Sequence, residues 1–320
     1  AQEILLQKQL ELSRGYFNMP TVPSTKNISL EDLIKSFLAS KRNHIRPSSL
    51  KRYQNYLDKF IQYMKKFFPG PAANVSDIRT NYIEESFNYF LENEVTNKKH
   101  WEPKTVNGLR TILVQLFNYG IKQSYLSTNP ARDTKSFPEK SRNQVEYYKD
   151  DELEKIWDVL DEHWVEPLKF ILHTGLRKGE WIHLLWINVS IEPANPSISI
   201  VSTDEWKTKT GQSRIVPLNK IALEINKKQK GKNSKYVFTS EDSSKIHPDK
   251  PYRRLKKTLE KLELTGDIHK LRHTFASKLA MKGVPIFDIQ KLLGHKDIKT
   301  TMIYAHLSPG YLQESVKKLE

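Results

Sequence analysis

The sequence predicts a mainly α-helical protein of two domains, with a small antiparallel β-sheet in the second domain. Three observations favour this fold class. The chain has 320 residues, which suits two domains because single hydrophobic cores seldom grow beyond about 250–300 residues. Apolar residues recur at helical spacing along most of the chain. One short region is typical of strands, and it surrounds a Lys-Thr-Gly turn.

The N-terminal part is predicted to be a helix over residues 2–14 and an extended connector with Pro20 and Pro23, so that residues 1–27 precede the first domain. A helical domain is expected over residues 28–132. Ser29, with Asp32 three positions later, has the pattern of a capping box that begins its first helix. Further helices are predicted from Pro47 to residue 67, over 76–94 and over 104–123. The polar residues 133–146 are interpreted as an interdomain linker.

The second domain is expected over residues 147–320. Strands are predicted at residues 197–201, 205–208 and 213–217. Along the chain, helices are predicted before and after these strands, and the last of them is a tail helix with an apolar stripe. The predicted helices cover residues 150–161, 164–173, 178–185, 219–229, 249–262, 269–283, 285–293, 298–304 and 309–319.

Charge and composition limit the classes of partner and site. The formal net charge of +15 favours a polyanionic partner, with nucleic acid first. The chain has no cysteine, which excludes disulfides, thiolate metal sites and cysteine nucleophiles and suits the cytosol. It has no apolar run long enough for a membrane span and no secretory signal pattern at its start. Because residue 1 is not Met, the hypothesis is that the chain belongs to a longer protein on its N-terminal side.

Several polar residues could act together on a phosphate. His269 and Arg272 share one face of a predicted helix, and an arginine fork binds phosphate oxygens bidentately. His295 follows Gly294 at a predicted turn between helices, where it could donate to a phosphate oxygen. Tyr304 could act as a nucleophile if its neighbours activate the phenol. Taken alone, each of these residues fits an ordinary core or surface position better.

Two further candidates lie upstream. Arg177 follows a glycine break, and Glu180 lies one turn later, where it could hold the arginine or form an ordinary surface ion pair. Lys209 lies at the tip of a predicted hairpin, where an ammonium could protonate a leaving oxygen. Lys207 competes for that role, but Lys209 is preferred because it directly precedes Thr-Gly.

Taken together, five ordered motifs resemble those of the tyrosine recombinases, also called phage-type integrases. They are TGLRKGE at 174–180, KTG with RIVPL at 209–218, HKLRHTFAS at 269–277, LLGH at 292–295 and TTMIYAH at 300–306. A weaker similarity upstream, in SSLKRYQNYLDKF at 48–60 and KTVNGLRTILVQLFNYGI at 104–121, resembles the helical core-binding domain of that family. The resemblance covers about residues 28–310.

The resemblance implies a site-specific recombinase that cleaves and rejoins DNA through a 3′-phosphotyrosine on Tyr304. It implies that Arg177, Arg272 and His295 stabilise the charged transition state. His269 would assist removal of the tyrosine proton, and Lys209 would protonate the leaving 5′-oxygen. Glu180 would support Arg177. No metal or other cofactor is expected.

The implied partner is double-stranded DNA. The protein would bind it as a homotetramer and be a monomer when free of DNA. Its expected location is the cytoplasm, in association with DNA. The tail helix would dock on its own domain or on a neighbouring protomer. A type IB topoisomerase-like enzyme and a catalytically inactive DNA-binding relative are the alternatives. The role could be phage integration, transfer of a mobile element or chromosome resolution. Candidate phosphate contacts in the helical domain are Lys41, Arg42, Arg46, Lys51, Arg52, Lys104 and Arg110.

Overall fold

The computed structural model describes residues 5, 9, 27–95, 100–139, 145–203, 206–208, 211–308, 316, 317 and 319. The chain divides into two compact units, Ala1–Ser141 and Arg142–Glu320, called here the N-terminal and the C-terminal unit. Nearly all of the predicted helix at 2–14 and of the predicted tail helix at 309–319 lies outside the described residues, as does most of the connector between 15 and 27.

The regular elements of the N-terminal unit are all helices in its described residues. Its helices are α1 (Leu30–Lys41), α2 (Pro47–Phe67), α3 (Pro69–Ala73), α4 (Thr80–Glu92) and α5 (Pro103–Lys122), with a 3-10 turn at Val75–Asp77. Ser29 caps α1, because its hydroxyl accepts the backbone N–H of Asp32 at 3.1 Å. The chain leaves α2 at Phe68 as predicted, but the short α3 follows at once.

One hydrophobic core joins these helices. Apolar residues of α5 that lie three or four positions apart, Val106, Leu109 and Leu113 among them, are buried in it. The predicted single helix over 76–94 is shorter in the structure, because the 3-10 turn and an extended residue, Arg79, precede α4.

The C-terminal unit combines helices with one small sheet. Its described elements are α6 (Asp150–Val159), α7 (Glu162–Thr174), α8 (Lys178–Ile182), a 3-10 turn (Trp186–Asn188), β1 (Val189–Ser190), β2 (Ser197–Ile200), β3 (Arg214–Pro217), α9 (Lys220–Gln229), α10 (Lys250–Lys261), α11 (Ile268–Met281), α12 (Ile286–Leu293), α13 (Lys299–Met302) and a second 3-10 turn (Ala305–Leu307). The predicted fold class, mainly helical with a small antiparallel sheet, is confirmed.

The sheet has the order β1-β2-β3 and is antiparallel throughout. Ile198 in β2 pairs with Val189 on one side and with Val216 on the other. The strand predicted at 205–208 is wrong for its described residues, since 206–208 form no strand. Trp206 instead makes a tight turn with Thr203, and its ring stacks on His183 at 5.4 Å between centroids. β2 and β3 lie at two of the predicted strands, whereas β1 was not predicted from the sequence.

Two hydrophobic clusters in this unit position the site. The larger one surrounds the packed helices α7 and α11 and includes both Trp164 and Trp181. The smaller one consists of Ala276, Ala280, Ile289, Leu293 and Tyr304. It fixes α12 and the segment around Tyr304 against α11. None of the described helices is long and apolar enough to cross a membrane.

Candidate active site

A buried carboxylate organises the polar centre of the C-terminal unit. The side chain of Glu180 is only 1% exposed. Its Oε1 accepts from Arg177 Nη1 and Arg214 Nη1, both at 2.9 Å. Its Oε2 accepts from the Arg177 backbone N–H at 2.9 Å and from Arg214 Nη2 at 2.6 Å. All four acceptor positions of the carboxylate are therefore used.

Arg272 lies beside this group, with its Nη1 3.9 Å from Glu180 Oε2. It is buried, and its Nη1 and Nη2 donate to the carbonyls of Gly175 at 2.5 Å and Leu293 at 2.6 Å. Since a guanidinium has five N–H groups, these two contacts fix its plane and leave further donors for an anion. Burial, with the charge of Arg177, lowers the pKa of Arg272 to about 9, so it remains charged at neutral pH.

The ends of two helices supply these carbonyls, and each helix ends at a glycine with positive φ. Gly175 follows α7 and Gly294 follows α12, both with φ near +63°. The Gly294 turn also lies against Arg214, whose Nε donates to Leu292 O at 2.8 Å. A Cβ on Gly294 would lie 2.8 Å from Arg214 Cδ, so this turn requires glycine for space as well as for φ.

The electrostatics of the group favour an anion. Burial alone would raise the pKa of Glu180, but Arg214, the Arg177 N–H and the charge of Arg272 lower it to about 2. Glu180 is therefore ionised at neutral pH. Three guanidinium groups against one carboxylate leave two positive charges in excess at this centre.

Tyr304 lies beside this centre and is only 1% exposed. Burial raises its pKa to about 12, although the positive charge of Arg272 opposes the shift. Its phenol oxygen is hydrogen-bonded to Nδ1 of His273 at 2.7 Å. The His269 ring is perpendicular to the His273 ring, with 4.7 Å between centroids. The histidine in contact with Tyr304 is therefore His273, which the sequence analysis did not select.

The remaining predicted histidine, His295, also faces the arginines. Its Nδ1 is hydrogen-bonded to the hydroxyl of Thr301 at 2.9 Å. Burial and the charges of Arg272 and Arg177 lower its pKa to about 3. Burial and the neighbouring His273 lower the pKa of His269 to about 4. Both imidazoles are therefore neutral near pH 7.

The structure thus brings together six of the seven candidate residues of this unit: Arg177, Glu180, His269, Arg272, His295 and Tyr304. Lys209 lies outside the described residues, and Lys207 is exposed. The sequence analysis missed Arg214 and His273. Both lie inside the quoted motifs, Arg214 at the start of RIVPL and His273 one residue after Arg272. Their contacts in the folded chain identify them, and the sequence does not show those contacts.

The candidate phosphate contacts of the N-terminal unit differ in their exposure and in their contacts within the unit. Arg42, Lys51, Arg52 and Lys104 are exposed, as is Arg46. Lys41 is partly buried, with its ammonium 5.3 Å from the centre of the Phe37 ring. Arg110 is engaged inside the unit, because its Nε donates to the carbonyl and the hydroxyl of Thr134 at 2.8 and 3.1 Å. In the described part of the chain, no group of three or more His, Asp or Glu side chains could hold a metal ion.

Comparison with known families identifies the family of this chain. The model of the phage integrase family matches residues 146–310, more than half of the chain. The chain belongs to the phage integrase family. The model of the phage integrase SAM-like domain matches residues 29–137 of this family member. Curated relatives are named as tyrosine recombinases and integrases, and the protein is a tyrosine-type site-specific recombinase.

The similarity extends over most of this phage integrase. It is 25% identical to a protein named "Tyrosine recombinase XerC-like" from Caldanaerobacter subterraneus, over 92% of this chain and 83% of the relative. It is 26% identical to a tyrosine recombinase of Thermosipho africanus, over 90% and 98% of the two chains.

Solved structures share its fold. A lambda integrase dimer bound to a core site aligns with TM-score 0.71 and 19% identity, over 94% of this chain and 84% of that one. The Tn1549 transposon integrase, in complex with a circular intermediate DNA, aligns with TM-score 0.70 and 16% identity, over 92% and 100%.

Proposed function

We propose that this phage integrase cleaves and rejoins double-stranded DNA through a covalent 3′-phosphotyrosine on Tyr304. The observation that carries the proposal is the position of the Tyr304 phenol beside a buried arginine group with excess positive charge. A phosphodiester held by that group would lie next to the phenol oxygen. Attack would release a 5′-hydroxyl, and the reverse reaction could join a different one.

The arginines would act mainly on the transition state. Charge builds up on the non-bridging oxygens as the phosphorus becomes pentacoordinate, and fixed donors at that point lower the barrier. Arg177 and Arg272 are proposed as these donors. Glu180, by binding Arg177 and Arg214, would hold the group in place before DNA arrives.

His295 is proposed as a further donor to the phosphate. Because its pKa is low, it would act as a neutral imidazole with a single N–H. If Thr301 donates its hydroxyl proton to Nδ1, the N–H of His295 lies on Nε2. That tautomer leaves Nε2 to donate to an oxygen of the phosphate.

Two proton transfers complete the reaction. Lys209 is proposed to protonate the leaving 5′-oxygen. A histidine of α11 would take the proton of Tyr304, a role that the family resemblance gives to His269.

The two parts of the chain would divide the work of binding. Residues 28–132 are proposed as the core DNA-binding domain, 133–146 as the linker and 147–320 as the catalytic domain with its tail helix. Exposed lysines and arginines of α2 and of the ends of α1 and α5 would contact phosphates, which makes affinity strongly dependent on salt. The lambda integrase has been solved as a tetramer bound to a Holliday junction. We propose a tetramer on DNA for this chain as well.

A nicked suicide substrate tests the chemistry. Cleavage beside the nick releases a short strand, so the covalent adduct is trapped and runs as a slower band in a denaturing gel. We expect the adduct with the wild type and none with Tyr304→Phe, although both bind the DNA equally. Sequencing the modified peptide should place the link at Tyr304. Equal binding with no adduct from the wild type would instead support an inactive DNA-binding relative.

A further inference from the structure

The contact between His273 and Tyr304 has a consequence for the nucleophile. Both residues are held by the fold: His273 lies on α11, and Tyr304 belongs to the small hydrophobic cluster that packs on that helix. The phenol is 1% exposed, and its hydrogen bond to Nδ1 of His273 is 2.7 Å long. A buried phenol with its pKa near 12 is almost fully protonated at neutral pH. It therefore needs a base within hydrogen-bond distance.

The charges around the histidines decide which of them can best hold a proton. His269 is influenced by Arg272 and Arg177, and His295 by Arg272, Arg177 and Arg214. His273 is also lowered in pKa, first by burial and then by Arg272, but the carboxylates of Asp267 and Glu146 oppose this shift. Asp267 favours the protonated form of His269 too, whereas Glu146 acts on His273. An imidazolium is therefore tolerated best at His273.

We propose that His273 is the catalytic base that takes the phenol proton of Tyr304 when this residue attacks the phosphate. The proposal rests on the proposed function, and it gives the proton role to His273 instead of His269. The charges of both Arg177 and Arg272 act on His269, so His269 would contact the phosphate that these arginines bind.

The atoms of the step balance. The O–H bond of Tyr304 breaks as its oxygen bonds to phosphorus, and the proton moves to Nδ1 of His273. The bond between phosphorus and the 5′-oxygen breaks, and that oxygen gains its proton from the general acid of the proposed function. On rejoining, the general acid, now deprotonated, takes back the proton of the 5′-hydroxyl as that oxygen bonds to phosphorus. The P–O bond of the tyrosine breaks, and His273 returns its proton to the phenolate.

Single-turnover cleavage of the suicide substrate by His273→Asn tests the proposal. We expect the rate at pH 7 to fall on the order of 10²–10⁴-fold, the usual contribution of a general base. Without the base, the variant depends on the ionised phenol, so its rate should rise about tenfold between pH 7 and pH 8, where Arg272 keeps its charge. The wild-type rate should stay nearly constant there, because neutral His273 already acts as the base.

A second substrate separates the two proton transfers. If sulfur replaces the bridging 5′-oxygen, the leaving group no longer needs a proton. This substrate should leave His273→Asn as slow relative to the wild type as before. Full recovery on it would place His273 on the leaving-group side and overturn the proposal.

The control is His306→Asn, which changes an exposed histidine two residues from Tyr304 and should cleave at the wild-type rate. Thermal unfolding and DNA binding of both variants check that the unit remains folded. A purely structural role of His273 would give a loss that does not vary with pH, which overturns the proposal. Cleavage by His273→Asn at the wild-type rate would overturn the role of His273 and leave the proposed function intact. Absence of an adduct in the wild type would overturn the proposed function itself.

Discussion

Replacing Glu180 by glutamine should destabilise the C-terminal unit strongly. The substitution keeps the size of the side chain but removes the charge that three arginines share. Arg177 would lose the charged hydrogen bond of its Nη1, and Arg214 would lose those of its Nη1 and Nη2; these bonds are 2.6–2.9 Å long. The guanidinium groups would then repel one another at a buried site.

The magnitude follows from the pKa of this carboxyl. Its fall from the ordinary 4.5 to about 2 corresponds to about 3 kcal/mol, at 1.36 kcal/mol for each pH unit. Breaking a buried ion pair by removing one partner costs about 3–5 kcal/mol in other proteins. The two figures agree in order of magnitude, so we expect Glu180→Gln to lower the free energy of unfolding by about 3–5 kcal/mol at pH 7.

The sign of the pH dependence is fixed as well. A carboxyl whose pKa is lower in the folded state contributes its full stabilisation above the unfolded pKa and loses it as the pH falls. The difference between wild type and Glu180→Gln should therefore be constant above about pH 4.5. It should shrink as the pH falls from 4.5 to about 2.

Urea unfolding followed by tryptophan fluorescence measures both quantities, because five of the six tryptophans lie in the C-terminal unit. Glu224→Gln is the control, since its pair with Lys227 is exposed and should contribute at most about 1 kcal/mol. A loss below about 1 kcal/mol in Glu180→Gln, or a difference from wild type that does not change in acid, would refute the reasoning.

Two further predictions compare matched residues. Gly294→Ala should slow single-turnover cleavage at least about tenfold. The added Cβ would lie 2.8 Å from Arg214 Cδ, so Arg214 would have to move. A rise of about 1.4 kcal/mol in the barrier gives a tenfold lower rate. Gly231→Ala, with φ +91° and open space around its Cβ, should cleave as fast as wild type, and equal rates for the two would contradict this. Lys51→Met should reduce the slope of log affinity against log salt by about 0.9. Arg110→Met should leave that slope unchanged and lower the stability of the N-terminal unit, since its guanidinium binds Thr134; a changed slope would show a phosphate contact instead.

The fold could be predicted where a periodic pattern decides it. Helix α5 is an example, because its apolar residues are spaced to form one face that the core buries. Strand β1 has two residues, too few for a pattern of its own, and it depends on pairing with β2. Trp206 was assigned to a strand by composition, but packing on His183 and close to Gly179 decides its position.

The candidate site was predictable as a set of residue types, and less so as a set of contacts. Helical spacing shows that His269 and His273 share a face, four residues apart. It does not show which ring meets the phenol, because that depends on where the chain brings Tyr304 after α13. Arg214 illustrates the same limit: its motif was evident, but its bonds to Glu180 join residues 34 positions apart.

The charge of the site would allow one arginine group to serve both the proposed phosphate and the proposed nucleophile. A phosphodiester carries one negative charge, and attack by an ionised oxygen brings a second. Two excess positive charges on Arg177, Arg214 and Arg272 beside Glu180 therefore match the transition state better than the bound substrate, which is the condition for catalysis. Burial, together with the same positive charges, lowers the pKa of His269 and His295, so these two are suited to donate hydrogen bonds and poorly suited to hold a proton. His273, which touches the phenol and has Glu146 and Asp267 near it, is the residue where a proton can be kept until rejoining.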